Sequence, residues 1–328
     1  MTEAIEIRPL TAADADSLAA CFRRCYGDSY VPAFFYDPAE VRSRLADRRL
    51  ESLVALASTG EIVGHMALMR PHASASTVEL GSAIVDSRYR RHGLLARLGA
   101  GLVELARAAG AVGYHHYQTT AHAIIQRTAA EAGGAETGIM LAYIPAATEY
   151  RDLVSPSPAG RLAAVTVYQA LGVAPVRNVA LPRRYGALLR EIYNAAGIER
   201  HEITSNLDSV SSSANVTSDF DAQRSLLRIH VEHIGSDLGA QVAAIELEHP
   251  SDITHVDLVL SDRSVSREVE DLHARGFFFC ALLPEYAATD VLRLQRLRTG
   301  SWTRPDLVNT RARAILEAIL ADRAATVR

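Results

Sequence analysis

Along the first 145 residues the apolar positions switch between the two-residue period of strands and the three-to-four-residue period of helices, and the pattern predicts an ordered run of elements. Residues 5–8 read as a strand. Thr11 with Asp14 three positions later marks the start of a helix to about Tyr26, and Asp37-Pro38-Ala39-Glu40 repeats the signal with proline at the first helical position, predicting a short second helix. The apolar runs 53–57 and 61–69, joined by Ser58-Thr59-Gly60, predict a hairpin. Residues 77–85 predict a third strand in which Gly81 marks a bulge or a close backbone approach. Leu94, Leu98, Leu102 and Leu105 place a helix over 94–109 that Gly110 stops. Residues 112–118 then read as a strand, 121–132 as a helix and 139–144 as a strand.

The turn-rich stretch Ser155-Pro156-Ser157-Pro158-Ala159-Gly160 has little to bury and sets a boundary between a domain at 1–150 and a second at 160–328. The second domain reads as a strand at 176–181, a helix at 183–196, a strand near Glu202 and a polar, mobile segment over 205–222. A strand at 226–234, a helix at 237–246, a strand at 255–260 and a helix at 264–274 follow. Strands at 277–283 and 291–297 precede a C-terminal helix past Pro305, with Leu307, Val308, Arg311, Ile315 and Ile319 on one face. The fold class is α/β of the α+β kind, a mixed and mostly antiparallel sheet flanked by helices.

A length of 328 residues suits two domains, and 48% apolar against 22% charged residues describes a folded globular protein. All 34 basic residues are arginine. Without lysine there is no Schiff-base amine for pyridoxal phosphate and no G-K-[ST] phosphate loop, so two large enzyme classes drop out. The formal charge of −4 and the lack of a basic tract argue against a nucleic-acid partner. Cys21, Cys25 and Cys280 are too few and too scattered for a disulfide framework or a zinc site, and the first two, four apart, read as small core residues. The N-terminus is acidic and no apolar run approaches the roughly 20 residues of a membrane span, so the expected location is the cytoplasm, with no membrane partner.

The most informative stretch runs from Ile84 and Val85 through Asp86-Ser87-Arg88-Tyr89-Arg90-Arg91-His92-Gly93-Leu94-Leu95. It sets a basic, glycine-containing turn between a strand end and a helix start, where unpaired N–H groups and the positive helix end can hold a pyrophosphate; a solvated surface loop is the alternative. Arg90-Arg91-His92-Gly93-Leu94-Leu95 resembles the pyrophosphate loop of the GNAT superfamily of acyl-CoA-dependent N-acyltransferases, matching at Arg90 and Gly93 and departing at Leu95, where a small residue is usual. The element order of the first 144 residues is also similar to a complete GNAT domain. The resemblance implies acetyl-CoA or another acyl-CoA as co-substrate, a primary amine of a small molecule as acceptor, and no metal. An acyl carrier protein can stand in for CoA as donor, since both carry a pantetheine arm. Cofactor-binding candidates are Ile84, Val85, Arg90, Arg91, His92, Gly93, Leu94 and Leu95.

The same resemblance makes Glu79, eleven residues before Arg90, the candidate general base, because an ammonium substrate cannot attack a thioester until it loses a proton. A strand glutamate facing solvent is the other reading. The tyrosine acid usual in the family falls at Ala129 and is missing; the asparagine that often opens that helix is His122, which can contact the cofactor, protonate the sulfur, or cap and pack. His115, His116 and Tyr117 are further candidates that favour solvent or core roles. Tyr26, Tyr30, Phe34, Phe35 and Tyr36 can line an acceptor pocket or form core. The second domain resembles a degenerate GNAT-like repeat: where its pyrophosphate loop belongs stands His233-Ile234-Gly235-Ser236-Asp237-Leu238, with an acid that repels phosphate. Its expected part is to wall the substrate cleft or form an interface. Two functions follow, an N-acetyltransferase or a non-catalytic acyl-CoA sensor acting through the C-terminal domain; the oligomeric state stays open.

Overall fold

Local chemistry starts the helices where the sequence predicts. Arg8 and the Thr11 backbone and hydroxyl converge on the Asp14 carboxylate at 2.6–2.8 Å, fixing the turn into α1 (Ala15–Tyr26), while Asp37 accepts from the Ala39 and Glu40 N–H groups to begin α2 (Pro38–Ala46). The computed structural model describes residues 4–123, 126–127, 133–151, 159–204, 213–298 and 300–326. In its N-terminal half the strands are β1 (Glu6–Pro9), β2 (Glu51–Leu56), β3 (Ile62–Met69), β4 (Thr77–Val85), β5 (Gly113–Thr119), β6 (Ala135–Ile144) and β7 (Leu162–Ala170), with α3 (Leu94–Ala108) between β4 and β5. Leu94, Leu98, Leu102 and Ala106 form the buried stripe of α3; Leu105, expected on it, is exposed because an i, i+4 row passes it by.

The C-terminal half contains β8 (Arg177–Val179), α4 (Gly186–Ala196), β9 (Arg200–Glu202), β10 (Asn215–Asp221), β11 (Leu226–His233), α5 (Leu238–Glu248), β12 (Ile253–Val259), α6 (Val265–Ala274), β13 (Phe278–Leu283), β14 (Val291–Leu297) and α7 (Thr310–Thr326). Among the described residues twelve strands join in one sheet, in the order β1-β2-β3-β4-β5-β7-β6-β13-β14-β12-β11-β10, and β8 pairs with β9 apart from it. Two strands differ from the sequence reading. β7, beyond the Ser-Pro stretch, returns to pair between β5 and β6, so the first sheet does not end before that stretch. β10 occupies part of the segment expected to be mobile, as the polar edge strand of the sheet.

The halves meet where β6 and β13 run antiparallel, paired at Gly138 and Ala281. A side chain on Gly138 would come within 2.3 Å of Ala281 and the Cys280 carbonyl, so only glycine admits the approach. Buried Gln295 of β14 completes the seam, accepting from the Leu141 N–H at 2.9 Å and donating to the carbonyls of Ile139 and Phe279 at 3.0 and 3.1 Å. Ile139, Val165, Val256, Phe278, Leu294 and Ile315 share one core across this join. Ile315 and Ile319 of α7 are buried, as is Leu307 ahead of it, whereas Val308 and Arg311 lie outside the buried stripe.

The order β10-β11-β12-β14-β13 repeats β3-β4-β5-β7-β6 with the same connections: α5 links β11 to β12 as α3 links β4 to β5.

Candidate active site

β4 and β5 are parallel but pair over only three positions, Thr77 with Gly113, Val78 with Tyr114 and Glu79 with His115, and then part. The cause lies in β4. Against β3 its register jumps from Gly81 opposite Ala67 to Ile84 opposite His65, leaving Ser82 and Ala83 to share Met66. The bulge begins beside Gly81, as expected, and its left-handed residue is Ser82, with φ 51°. A non-glycine residue there costs about 1–3 kcal/mol and needs support. The support is His65, fully buried beneath the bulge: its Nδ1–H donates to the Ser82 carbonyl at 2.9 Å and its Nε2 lies 3.0 Å from the Ser52 hydroxyl. Burial pushes the His65 pKa down to about 4, so the ring stays neutral and holds this tautomer.

The parted strands open a cleft of about 1500 Å³ that reaches from the turn before α3 to the C-terminal half. At the turn, Asp86 accepts from the Arg88 backbone at 3.1 Å, binds the Arg88 guanidinium at 2.7 Å and takes Arg24 at 2.6 Å. Arg88 is thereby tied back, and the exposed Arg91 and Gly93 turn forward, both left-handed with φ 69° and 67°. Among the described residues no side chain caps α3, and its first turn holds no acid, so its opening N–H groups are available to an anion. Among the described residues nothing lies within 4 Å of where a Gly93 side chain would begin, which leaves room for a phosphate against the backbone. Ile84, Val85, Arg90, Arg91, Gly93, Leu94 and Leu95 all line the cleft. The His92 ring folds back instead, with Nδ1 at 3.0 and 3.1 Å from the carbonyls of Tyr89 and Arg90. These residues fit the pyrophosphate and pantetheine of an acyl-CoA.

Glu79 lines the cleft where the strands part. Burial pushes its carboxyl up, and the guanidinium groups of Arg224, Arg228 and Arg293 pull it partly back. His122 also lines the cleft, edge-on to Tyr150, with a buried Nδ1 that has no partner among the described residues. Burial, and then the nearby Arg90 charge, lower its pKa, which keeps the imidazole neutral. Ala129 lies outside the described residues. The β5 candidates separate: His115 is core, bonded through Nε2 to the Pro284 carbonyl at 2.8 Å, while His116 and Tyr117, for which solvent or core was expected, line the cleft. The aromatic cluster divides too. Phe22 and Phe35 stack at 4.3 Å in the core and Phe34 packs under Arg44, but Tyr26 and Tyr30 face the cleft. Cys21 and Cys25 are buried as expected, with Cys25 reaching the cleft wall.

What sequence reasoning missed is the far wall. Asp221, Gln223, Arg224 and Arg228, from β10, β11 and the turn between them, close the end of the cleft beside Glu79. Gln223 accepts from the Ala33 N–H at 3.1 Å and Arg224 donates to the Val31 carbonyl at 3.2 Å, tying this turn to the loop after α1. No local motif signals such residues; they are brought in by the joined sheet.

The corresponding place in the second half is shut. β11 and β12 stay paired over six positions, and the irregularity in β11 falls beside His233, at the strand's end, too late to part them. A side chain at Gly235 would begin 2.0 Å from the Ala214 backbone nitrogen, because residues 213 and 214 lie across the turn. Asp237 at the head of α5 accepts from the Ala214 N–H at 2.7 Å and from Gln241 at 2.9 Å, filling the space with carboxylate.

A slot between parting parallel strands, headed by an anion-holding turn, is the layout of an acyl-CoA-dependent transferase. Residues 15–127 match the family model of acetyltransferases (GNAT), so this segment is a GNAT acetyltransferase domain. No curated protein is similar to the sequence. Solved structures similar to about half of the chain include the ribosomal-protein-S18-alanine N-acetyltransferase of Escherichia coli, at 17% identity over 52% of this chain and 97% of that one, TM-score 0.40. Others are a Salmonella typhimurium protein solved with its cofactor acetyl-CoA, at 18% over 52% and 98%, TM-score 0.41, and a ribosomal-protein-alanine N-acetyltransferase of Brucella melitensis, at 20% over 50% and 99%, TM-score 0.39. Among the described residues no helix is long and apolar enough to cross a membrane.

Proposed function

We propose that the chain transfers an acetyl group, or another short acyl group, from acyl-CoA to a primary amine of a small molecule. The observation that carries this is Glu79, set in the cleft at the point where β4 and β5 part, with its carboxyl raised by burial toward the range of a working base. The turn from Arg90 to Leu95 and the head of α3 hold the pyrophosphate, Ile84 and Val85 flank the arm, and bound acyl-CoA supplies the activated thioester. Glu79 takes the proton of the incoming ammonium, directly or through water. Backbone N–H groups at the Ser82 bulge, held by His65, polarise the acyl carbonyl. His122, being neutral, serves the sulfur as a hydrogen-bond donor and not as an imidazolium acid. The C-terminal half acts as a GNAT-like unit without a cofactor site, supported by its repeated strand order, its closed β11–β12 pair and its filled turn; it walls the acceptor end. Steady-state kinetics of Glu79→Gln over a range of pH test the reading: acetyl-CoA affinity stays while turnover collapses. Wild-type turnover by that variant at every pH would remove Glu79 from the mechanism.

A further inference from the structure

The wall that the C-terminal half contributes bears on which amine the cleft admits. Among the described residues the charged groups it brings to the cleft lining are Asp221, Arg224 and Arg228; Asp219, His230, Asp257 and Arg293 are linked to them by ion pairs, and Arg161 is matched by Asp252 at 3.5 Å. Arg224 is committed to structure, bonded to Asp221 at 2.6 Å and to the Val31 carbonyl, with its guanidinium 4.8 Å from the centre of the Tyr143 ring. Arg293 and Asp257 form a buried fork at 2.6 and 2.7 Å. His230 sits between Asp219 at 3.1 Å and Asp257 at 3.2 Å; burial opposes its charge, but the two carboxylates raise its pKa to about 9 and keep it protonated. Among the described residues Arg228 hydrogen-bonds on one side only. Its Nη1 bonds Asp219 at 2.7 Å, and its Nη2 stands 3.8 Å from Asp221, beyond hydrogen-bond reach. Tyr117 of β5 also lines the cleft, with a buried hydroxyl that has no partner among the described residues.

At the cleft surface Arg224 is taken by Asp221, whereas Arg228 turns an Nη2 without a hydrogen bond among the described residues toward the same end of the cleft as Glu79. Once Glu79 accepts the substrate's proton it no longer offsets the guanidinium groups beside it, and a carboxylate on the ligand would take over that part. We propose that the acceptor is an amine that also bears a carboxylate, and that Arg228 receives that carboxylate while the amine faces Glu79. This rests on the transferase reading above and names its substrate class. It gives the C-terminal half a recognition role at the shared cleft.

The test compares amino acids with their methyl esters and with the amines left when the carboxyl is removed, using acetyl-CoA and the full chain as wild type, Arg228→Gln and Arg228→Lys. In the wild type kcat/KM for the acid exceeds that for its neutral partner by about 100-fold or more. Arg228→Gln brings the ratio to within a few-fold, chiefly through KM, and Arg228→Lys restores part of it, while unchanged acetyl-CoA titrations show that the fold survives. A second readout needs no turnover: N-acetyl amino acids, titrated into protein saturated with CoA, bind the wild type and not Arg228→Gln. Equal turnover of neutral amines, preference for peptides with a blocked C-terminus, or a ratio untouched by Arg228→Gln would overturn the proposal and leave the transferase standing. Binding of N-acetyl amino acids that depends on Arg228, with no amine acetylated, would uphold this site and sink the transferase reading.

Discussion

In the N-terminal half the parallel pair β4–β5 touches over three positions and separates; in the C-terminal half the parallel pair β11–β12 runs in register over six. Both halves follow a parallel strand with a helix, yet one turn presents Arg91 and Gly93 to open space and the other has residues 213 and 214 lying on Gly235 and Asp237 in the anion's place. The difference teaches that connectivity alone does not make a cofactor site. What makes one is a bulge placed early enough to part the strands, a buried group to hold it, and a helix head left uncapped. In the C-terminal half the corresponding surface is spent instead on charge, and that charge faces the other half's cleft.

Four substitutions or conditions press on this contrast, from large effects to small. Glu79→Gln should lower kcat by about 10²–10⁴-fold, the usual weight of a positioned base. Because the Glu79 pKa is raised and the ionised form is needed, wild-type activity falls on acidification at a pH above the ordinary carboxylate range, and the variant flattens that limb in a pH-rate profile. Asp257→Asn strips Arg293 and His230 of a shared buried carboxylate and should cost about 3–5 kcal/mol in urea unfolding, while the one acetyl-CoA site of the surviving fold keeps its affinity.

His65→Leu leaves the Ser82 carbonyl and the Ser52 hydroxyl buried without their partner, for about 1–3 kcal/mol of stability. Since the bulge then relaxes, kcat should fall more than stability alone explains, with His65→Gln recovering part of it. A loss of stability with unchanged kcat would confine His65 to packing. The smallest effect is a pH dependence in the C-terminal half. The His230 pKa, raised to about 9 in the fold, means its stabilisation is complete below about 6.5 and fades as pH rises through 9. Urea midpoints should drop between these limits in the wild type and drop less in His230→Gln.

Much of the N-terminal half is legible residue by residue. Asp37-Pro38, Asp14 and the glycine stops are local signals whose partners lie within a few positions, whereas the loop and Glu79 are singled out through the resemblance to the GNAT superfamily. β7 escaped because its run Leu-Ala-Ala-Val-Thr-Val-Tyr is buried on both faces and lacks alternation. β10 escaped for the opposite reason: an exposed edge strand, Asn-Val-Thr-Ser-Asp-Phe-Asp, reads as a polar loop. The left-handed residue of the bulge could not be read because Ser82 is held in that conformation by a histidine seventeen positions away. Arg224 and Arg228 stand about 150 residues from Glu79 in the chain, and long-range contacts, the Gly138–Ala281 seam and the ties of Gln223 and Arg224 to Ala33 and Val31, bring them to one cleft.

The contrast between the halves comes down to how many acyl-CoA molecules one chain holds. Isothermal titration of the full chain with acetyl-CoA should give a single site, weakened at least tenfold by Arg91→Glu and unaffected by Ser236→Glu at the filled turn. Two sites per chain, or a single site that responds to Ser236→Glu and ignores Arg91→Glu, would contradict the assignment of an open cleft to one half and a closed wall to the other.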